Sequence, residues 1–158
     1  MAYANRAFYT DCYHGERIDE AGMDRWLERA SDELDYFTCN RLMTAFPKVE
    51  THAIKVKKAV CAIADALCQV DAQRRAAAPQ TAANGSACGA IASITSGKES
   101  ISYSGVNAGG SVYSDAAASQ DKLFALVQSI AVQYLAGIPD ANGINLLYRG
   151  VERCTTRP

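Results

Sequence analysis

A chain of 158 residues with 49% hydrophobic and 21% charged side chains holds the material for one core of ordinary domain size. Its formal charge of −1 and pI near 6.1 build in no general attraction to nucleic acid or to an anionic membrane. The opening MAYANRAFYT lacks the apolar stretch of a secretory signal, and no run approaches the ~20 apolar residues of a membrane span, so a soluble protein made in a cytoplasm is expected.

Residues 1–18 carry Tyr3, Phe8, Tyr9, Tyr13 and Gly15, an aromatic arm expected to cover the first helix. Asp19 is placed to cap a helix running to about Phe37. Met23, Trp26, Leu27, Ala30, Leu34 and Phe37 fall on one side of it, and Asp24, Arg25, Glu28, Asp32 and Asp35 on the other. Residues 1–40 hold nine acids and four bases, whereas residues 41–75 hold seven bases and three acids. An acidic helix is thus followed by a basic one. After Pro47, the positions Val49, Ala53, Val56, Val60, Ile63, Ala64 and Leu67 keep helical spacing to about Val70, and the helical pair is bounded at 19–72. Lys55, Lys57 and Lys58 read either as a solvated face or as an ionic contact with the acidic Asp32 and Asp35 face of an adjacent copy.

Residues 73–89 are poor in large apolar groups and broken by Pro79 and Gly85, which predicts a flexible connection. From Ile91 to Ser104, Glu99, Ile101 and Tyr103 alternate with serines behind a Ser96-Gly97 turn, the pattern of a β-hairpin over 90–104. A lone two-stranded ribbon is marginal in water, so Ile101 and Tyr103 are expected to meet the helices or a neighbouring subunit. Asp115 can cap a long helix over 115–137, with Leu123, Leu126, Val127, Ile130, Ala131, Tyr134 and Leu135 as its packing stripe and Gly137 and Pro139 as its stop. The tail 143–158 opens with the apolar strip Ile144 to Val151, too short for a helix, which normally needs something to lie against.

Six cysteines, at 12, 39, 61, 68, 88 and 154, form no Cys-x-x-Cys pair, so buried free thiols are expected and neither a metal nor another cofactor. His14 and His52 are the only histidines. The glycines at 105, 109 and 110 lack a phosphate-binding order, and Gly85 to Gly89 is no nucleophile elbow. No acid, base and nucleophile form a constellation, and no enzyme is expected.

The helix ending Tyr134-Leu135-Ala136-Gly137, a spacer, and then Leu146-Leu147-Tyr148-Arg149-Gly150-Val151 resembles the C-terminus of head-to-tail connector (adaptor) proteins of tailed bacteriophages and prophages. Phe8-Tyr9-Thr10-Asp11 with Gly15, Glu28-Arg29-Ala30-Ser31-Asp32, Phe37-Thr38-Cys39-Asn40-Arg41 and Lys57-Lys58-Ala59-Val60-Cys61-Ala62 extend the likeness to three blocks and about half the chain. The spacer Ile138 to Asn142 is longer than the family's junction, and the loop Ala76 to Ala87 has no counterpart in it. The resemblance implies a mainly α fold: a small bundle of three main helices, a protruding β-hairpin and an extended C-terminal arm in a single domain.

It also implies a virion protein repeated as a ring, usually of twelve copies, between the portal and a tail-side neck protein, continuing the DNA channel without sequence-specific binding. Ile144, Leu146, Leu147, Tyr148, Arg149, Gly150 and Val151 would dock on the portal, with Leu146, Leu147 and Tyr148 as apolar anchors. Three anchors burying about 100 Å² each are worth roughly 7 kcal/mol gross. Ordering the tail takes back a comparable amount, so only many arms acting together would hold. The alternatives are a small helical nucleic-acid-binding protein with Lys48, Lys55, Lys57, Lys58, Arg74 and Arg75 as a phosphate stripe, and a different neck ring protein such as a stopper or tail completion protein.

Overall fold

The computed structural model describes residues 2–77, 80–81, 87–88, 93–96, 99–102 and 111–148. The fold is mainly helical: α1 (Glu20–Phe37), α2 (Arg41–Thr44), α3 (Glu50–Ala77), α4 (Val112–Ala118) and α5 (Gln120–Leu135), preceded by one wide π-type turn at Phe8–Cys12. The chain divides into two compact units, Met1–Cys68 with Val127–Pro158, and Gln69–Leu126.

In the first unit the apolar stripe read from the sequence is the stripe α1 buries: Met23, Trp26, Leu27, Ala30, Leu34 and Phe37 are each at most 5% exposed. From α3, Val56, Ala59, Val60, Ile63 and Ala64 join them with no exposed surface, and Val127, Ala131 and Leu135 of α5 complete the core. Alanine at 59 and 64 keeps side chains short where helix backbones approach. Asp19 stands at the N-cap in extended geometry, but its side chain caps nothing; its backbone carbonyl accepts Gly22 N–H instead. Ser31, fully buried, satisfies its hydroxyl by donating to Leu27 O at 2.8 Å.

The N-terminal arm is part of this core, not a loose cover. Tyr9 has no exposed surface, and Ala4 and Ile18 are nearly as buried. Tyr3 fastens the arm to α1, its N–H donating to Ser31 Oγ and its hydroxyl to Asp35, while Tyr9 and Tyr13 reach Asp65 on α3. Arg6 adds a two-pronged ion pair with Asp24. Cys61 is buried as expected, but Cys12 and Cys39 are exposed, because Cys12 lies on the outer side of the π-type turn and Cys39 in the left-handed turn that ends α1.

Two helix boundaries differ from the sequence reading. α3 runs to Ala77 rather than stopping near residue 72, carried by the strong helix formers Ala72, Ala76 and Ala77 and by an Asp71–Arg75 ion pair at 2.5 Å. The helix expected over 115–137 is two helices. Ser111 is the N-cap of α4, accepting Ser114 N–H, and Ser119 breaks the chain in extended geometry before α5. Asp115 therefore lies inside a helix, where it pairs with Lys122 at 3.0 Å.

Two short antiparallel ladders lie in the second unit. β1 (Gln80–Thr81) pairs with β2 (Ala87–Cys88), and β3 (Ser93–Ser96) with β4 (Glu99–Ser102) in a register that sets Ile94 opposite Ile101. They are two and four residues long, and a hairpin that projects from the helical body finds no support in them. Tyr103 lies outside the described residues, as does the side chain of Ile101.

Candidate functional site

After α5 the chain doubles back and locks onto its own unit. Gly137 turns it in the left-handed region (φ +77°), and Pro139 bridges to Asn145 across a tight loop closed by Gly143 at φ +86°. Asp140, 6% exposed, is the hub of that loop: its Oδ1 accepts Asn142 N–H at 2.8 Å and Ile144 N–H at 2.9 Å, while its own N–H donates to Ile144 O at 2.7 Å. Ala141 N–H donates to Ala45 O beside α2, and Leu146 N–H to Ile138 O at 2.9 Å.

This geometry corrects the extended arm. Leu146 has no exposed surface, so it is a core residue of its own subunit and unavailable as an anchor. Ile144 and Leu147 are half-buried. Tyr148 alone of the proposed anchors stands out, 51% exposed, with the Arg41 guanidinium 5.8 Å from its ring centroid. Arg149, Gly150 and Val151 lie outside the described residues. The spacer Ile138 to Asn142 explains the difference. Its length lets Asp140 organise a closed loop, and the loop carries Leu146 back into the core.

The charged residues expected at a subunit contact are sorted as well. Asp32 and Asp35 of α1 and Lys57 of α3 line one cavity of about 490 Å³, walled by Tyr3, Leu42, Met43 and Phe46. Tyr3 and Phe46 stack with centroids 5.6 Å apart. Lys57 also places its ammonium 5.5 Å from the Phe8 ring. Lys57 of the basic helix and Asp32 and Asp35 of the acidic one thus line the same cavity within one chain. Lys55 is exposed and Lys58 half-buried. Burial holds the Asp35 carboxyl above its usual range despite the bond from Tyr3, and burial together with the neighbouring Asp35 carboxylate raises the Tyr3 hydroxyl.

A second polar cluster was not singled out by the sequence reading. Asp65 accepts hydrogen bonds from the hydroxyls of Tyr9 and, at 3.2 Å, Tyr13, and Arg17 N–H donates to the Tyr9 oxygen at 3.3 Å. Burial raises the Asp65 carboxyl, the two tyrosines and Arg17 pulling the other way. Beside it, burial and the Asp65 charge push the Cys61 thiol up to about 12, which keeps it a thiol and a packing residue. Gly15 lies against the Tyr9 ring so closely that a Cβ there would sit 2.1 Å from Cζ. Tyrosines four apart ahead of a glycine, and an acid set among the apolar and alanine positions of a helix, are the signals that could have found it.

Three of the six bases of the nucleic-acid alternative have other neighbours in the chain. Arg75 is paired with Asp71, Arg74 Nε donates to Ala117 O at 3.2 Å, and Lys57 belongs to the cavity. Among the described residues, no group of three or more His, Cys, Asp or Glu could hold a metal ion, and no helix is long and apolar enough to cross a membrane. No family model, curated protein or solved structure matches the chain.

Proposed function

We propose that the chain is a structural virion protein of the head-to-tail connector kind, repeated as a ring between the portal and the tail-side neck protein, through which DNA passes without sequence-specific contact. The observation that carries this reading is the closed loop Pro139 to Asn145. It rivets the end of α5 to the body and leaves Tyr148 half-exposed over Arg41, within the segment Ile144 to Val151 that the resemblance assigns to the portal. A fixed exit point lowers the ordering cost that a free arm would carry. The docking set is accordingly narrower than Ile144 to Val151: Tyr148, Arg149, Gly150 and Val151, with Leu147 at the edge. Projection of the β3–β4 ladder toward a neighbouring copy belongs to the same proposal. So does the assignment of this protein to the virion neck.

Electron microscopy of the purified protein mixed with the portal protein of the same phage or prophage tests it. Rings stacked coaxially on the portal are the expected result. Portal particles left bare at saturating protein would refute the reading.

A further inference from the structure

The loop that closes after α5 holds a chemically reactive pair. Asn142-Gly143 is an Asn-Gly step, as is Asn84-Gly85, which lies outside the described residues. Glycine has no side chain to shield its backbone nitrogen, so that nitrogen can approach the side-chain amide carbon of a preceding asparagine. Asn142 and Gly143 are both exposed, and the space in which a Gly143 Cβ would stand is empty, so water has access to the pair. The same loop restrains it. Gly143 N–H donates to Asp140 O at 3.1 Å, closing a four-residue turn, and Asn142 N–H is held by Asp140 Oδ1 at 2.8 Å. A nitrogen whose proton is engaged in that turn cannot attack its neighbour. It is freed only when the loop opens.

We propose that Asn142 is a self-modification site of this chain, with the Asp140 turn as its guard. In the opened loop the Gly143 nitrogen gives up its proton to hydroxide and bonds to Asn142 Cγ. The Cγ–Nδ2 bond breaks, and the departing nitrogen takes up a proton and leaves as ammonia, so a five-membered succinimide remains. Water then opens that ring at either carbonyl, which places aspartate or isoaspartate at 142. The loop does not close again unchanged. The succinimide has no proton on the Gly143 nitrogen to donate to Asp140 O, and isoaspartate carries one more methylene in the backbone between 142 and 143. Either opened product adds a carboxylate near Asp140, which is only 6% exposed, where like charges repel. Leu146 N–H reaches Ile138 O across the mouth of this loop, so the change loosens the seat of Leu146 and, behind it, the mount of Tyr148. The inference needs only the loop geometry and stands without the ring reading.

Peptide mapping by mass spectrometry tests it, on the full chain incubated at mildly alkaline pH in buffer and, in parallel, in enough guanidinium chloride to unfold it. Conversion of Asn142 to aspartate and isoaspartate is expected in both, at least about tenfold slower in the folded chain, because only the fraction with an open loop reacts. Asp140→Ala, which removes the acceptor for the N–H groups of Asn142 and Ile144, should raise the folded rate severalfold. Converted chains should melt below unconverted ones. Asn142→Ser cannot form the ring but leaves Asn84 free to react, and it should keep its melting midpoint through the same incubation. An Asn142 that stays intact in either state, a folded chain that converts as fast as the unfolded one, or converted chains that melt like unconverted ones would each overturn the inference. So would an Asp140→Ala chain that folds and reacts no faster. If that variant does not fold, the ratio of folded to unfolded rates in the wild-type chain still decides the matter.

Discussion

Shortening the chain at two neighbouring points separates the part of the C-terminus that builds the subunit from the part available to a partner. A chain ending at Tyr148 loses only residues outside the closed loop. A chain ending at Asn145 loses Leu146, which has no exposed surface, together with its 2.9 Å bond to Ile138 O. Removing a fully buried leucine side chain costs about 2–5 kcal/mol, and the lost hydrogen bond adds about 0.5–1.5 kcal/mol. Against a total stability of roughly 5–15 kcal/mol this is a large fraction. For a chain of this length it should lower the midpoint of thermal unfolding, followed by far-UV circular dichroism, by roughly 5–25 °C. The Tyr148-terminated chain should melt within a degree or two of the full protein. Equal melting of the two truncated chains would refute the placement of Leu146 in the core and restore a free arm from residue 144 onward.

Gly15→Ala should destabilise by about 1–3 kcal/mol through overpacking against the buried Tyr9 ring, and the same change in a Tyr9→Ala background should cost almost nothing; additive effects in urea unfolding would show that the two residues are not in contact. Asp65 carries a pH signature. Its carboxyl is held above the usual value in the folded chain, so the stability it contributes is fully present below the unfolded value of about 3.9 and is lost as pH rises through its folded value. Asp65→Asn removes that loss, so the stability of the variant relative to wild type should rise with pH across that window. A difference that is flat or falls with pH would contradict the burial of the ionised carboxylate.

The helices were legible because their apolar residues recur at helical spacing, and the α1 stripe from Met23 to Phe37 is buried as its periodicity demands. Boundaries were less so. Asp115 and Ser111 are both plausible caps, and nothing in the spacing of Leu123 to Leu135 reveals that Ser119 will adopt an extended backbone and split the segment. The acid and base blocks were visible as opposite charge. Their division was not, since the separation of Lys57 from Lys55 depends on where the Phe8 ring and the α1 carboxylates stand around α3. Tyr9 read as surface coverage because its partner Asp65 is 56 residues away. The largest departure, Leu146, has the same kind of cause. An apolar strip near a chain end has the same composition whether it covers a partner or its own core, and the choice is made by the Asp140 hydrogen bonds, which pattern alone does not display.

The connector assignment meets its most direct test in the affinity of the portal protein of the same phage or prophage for the full chain, for the chain ending at Tyr148, and for Tyr148→Ala with Arg149→Ala. The full chain should bind. The other two, folded and equally helical, should bind at least about tenfold more weakly, a loss of roughly 1.4 kcal/mol per arm multiplied in effect around a ring. Portal binding that survives both changes undiminished would contradict the account.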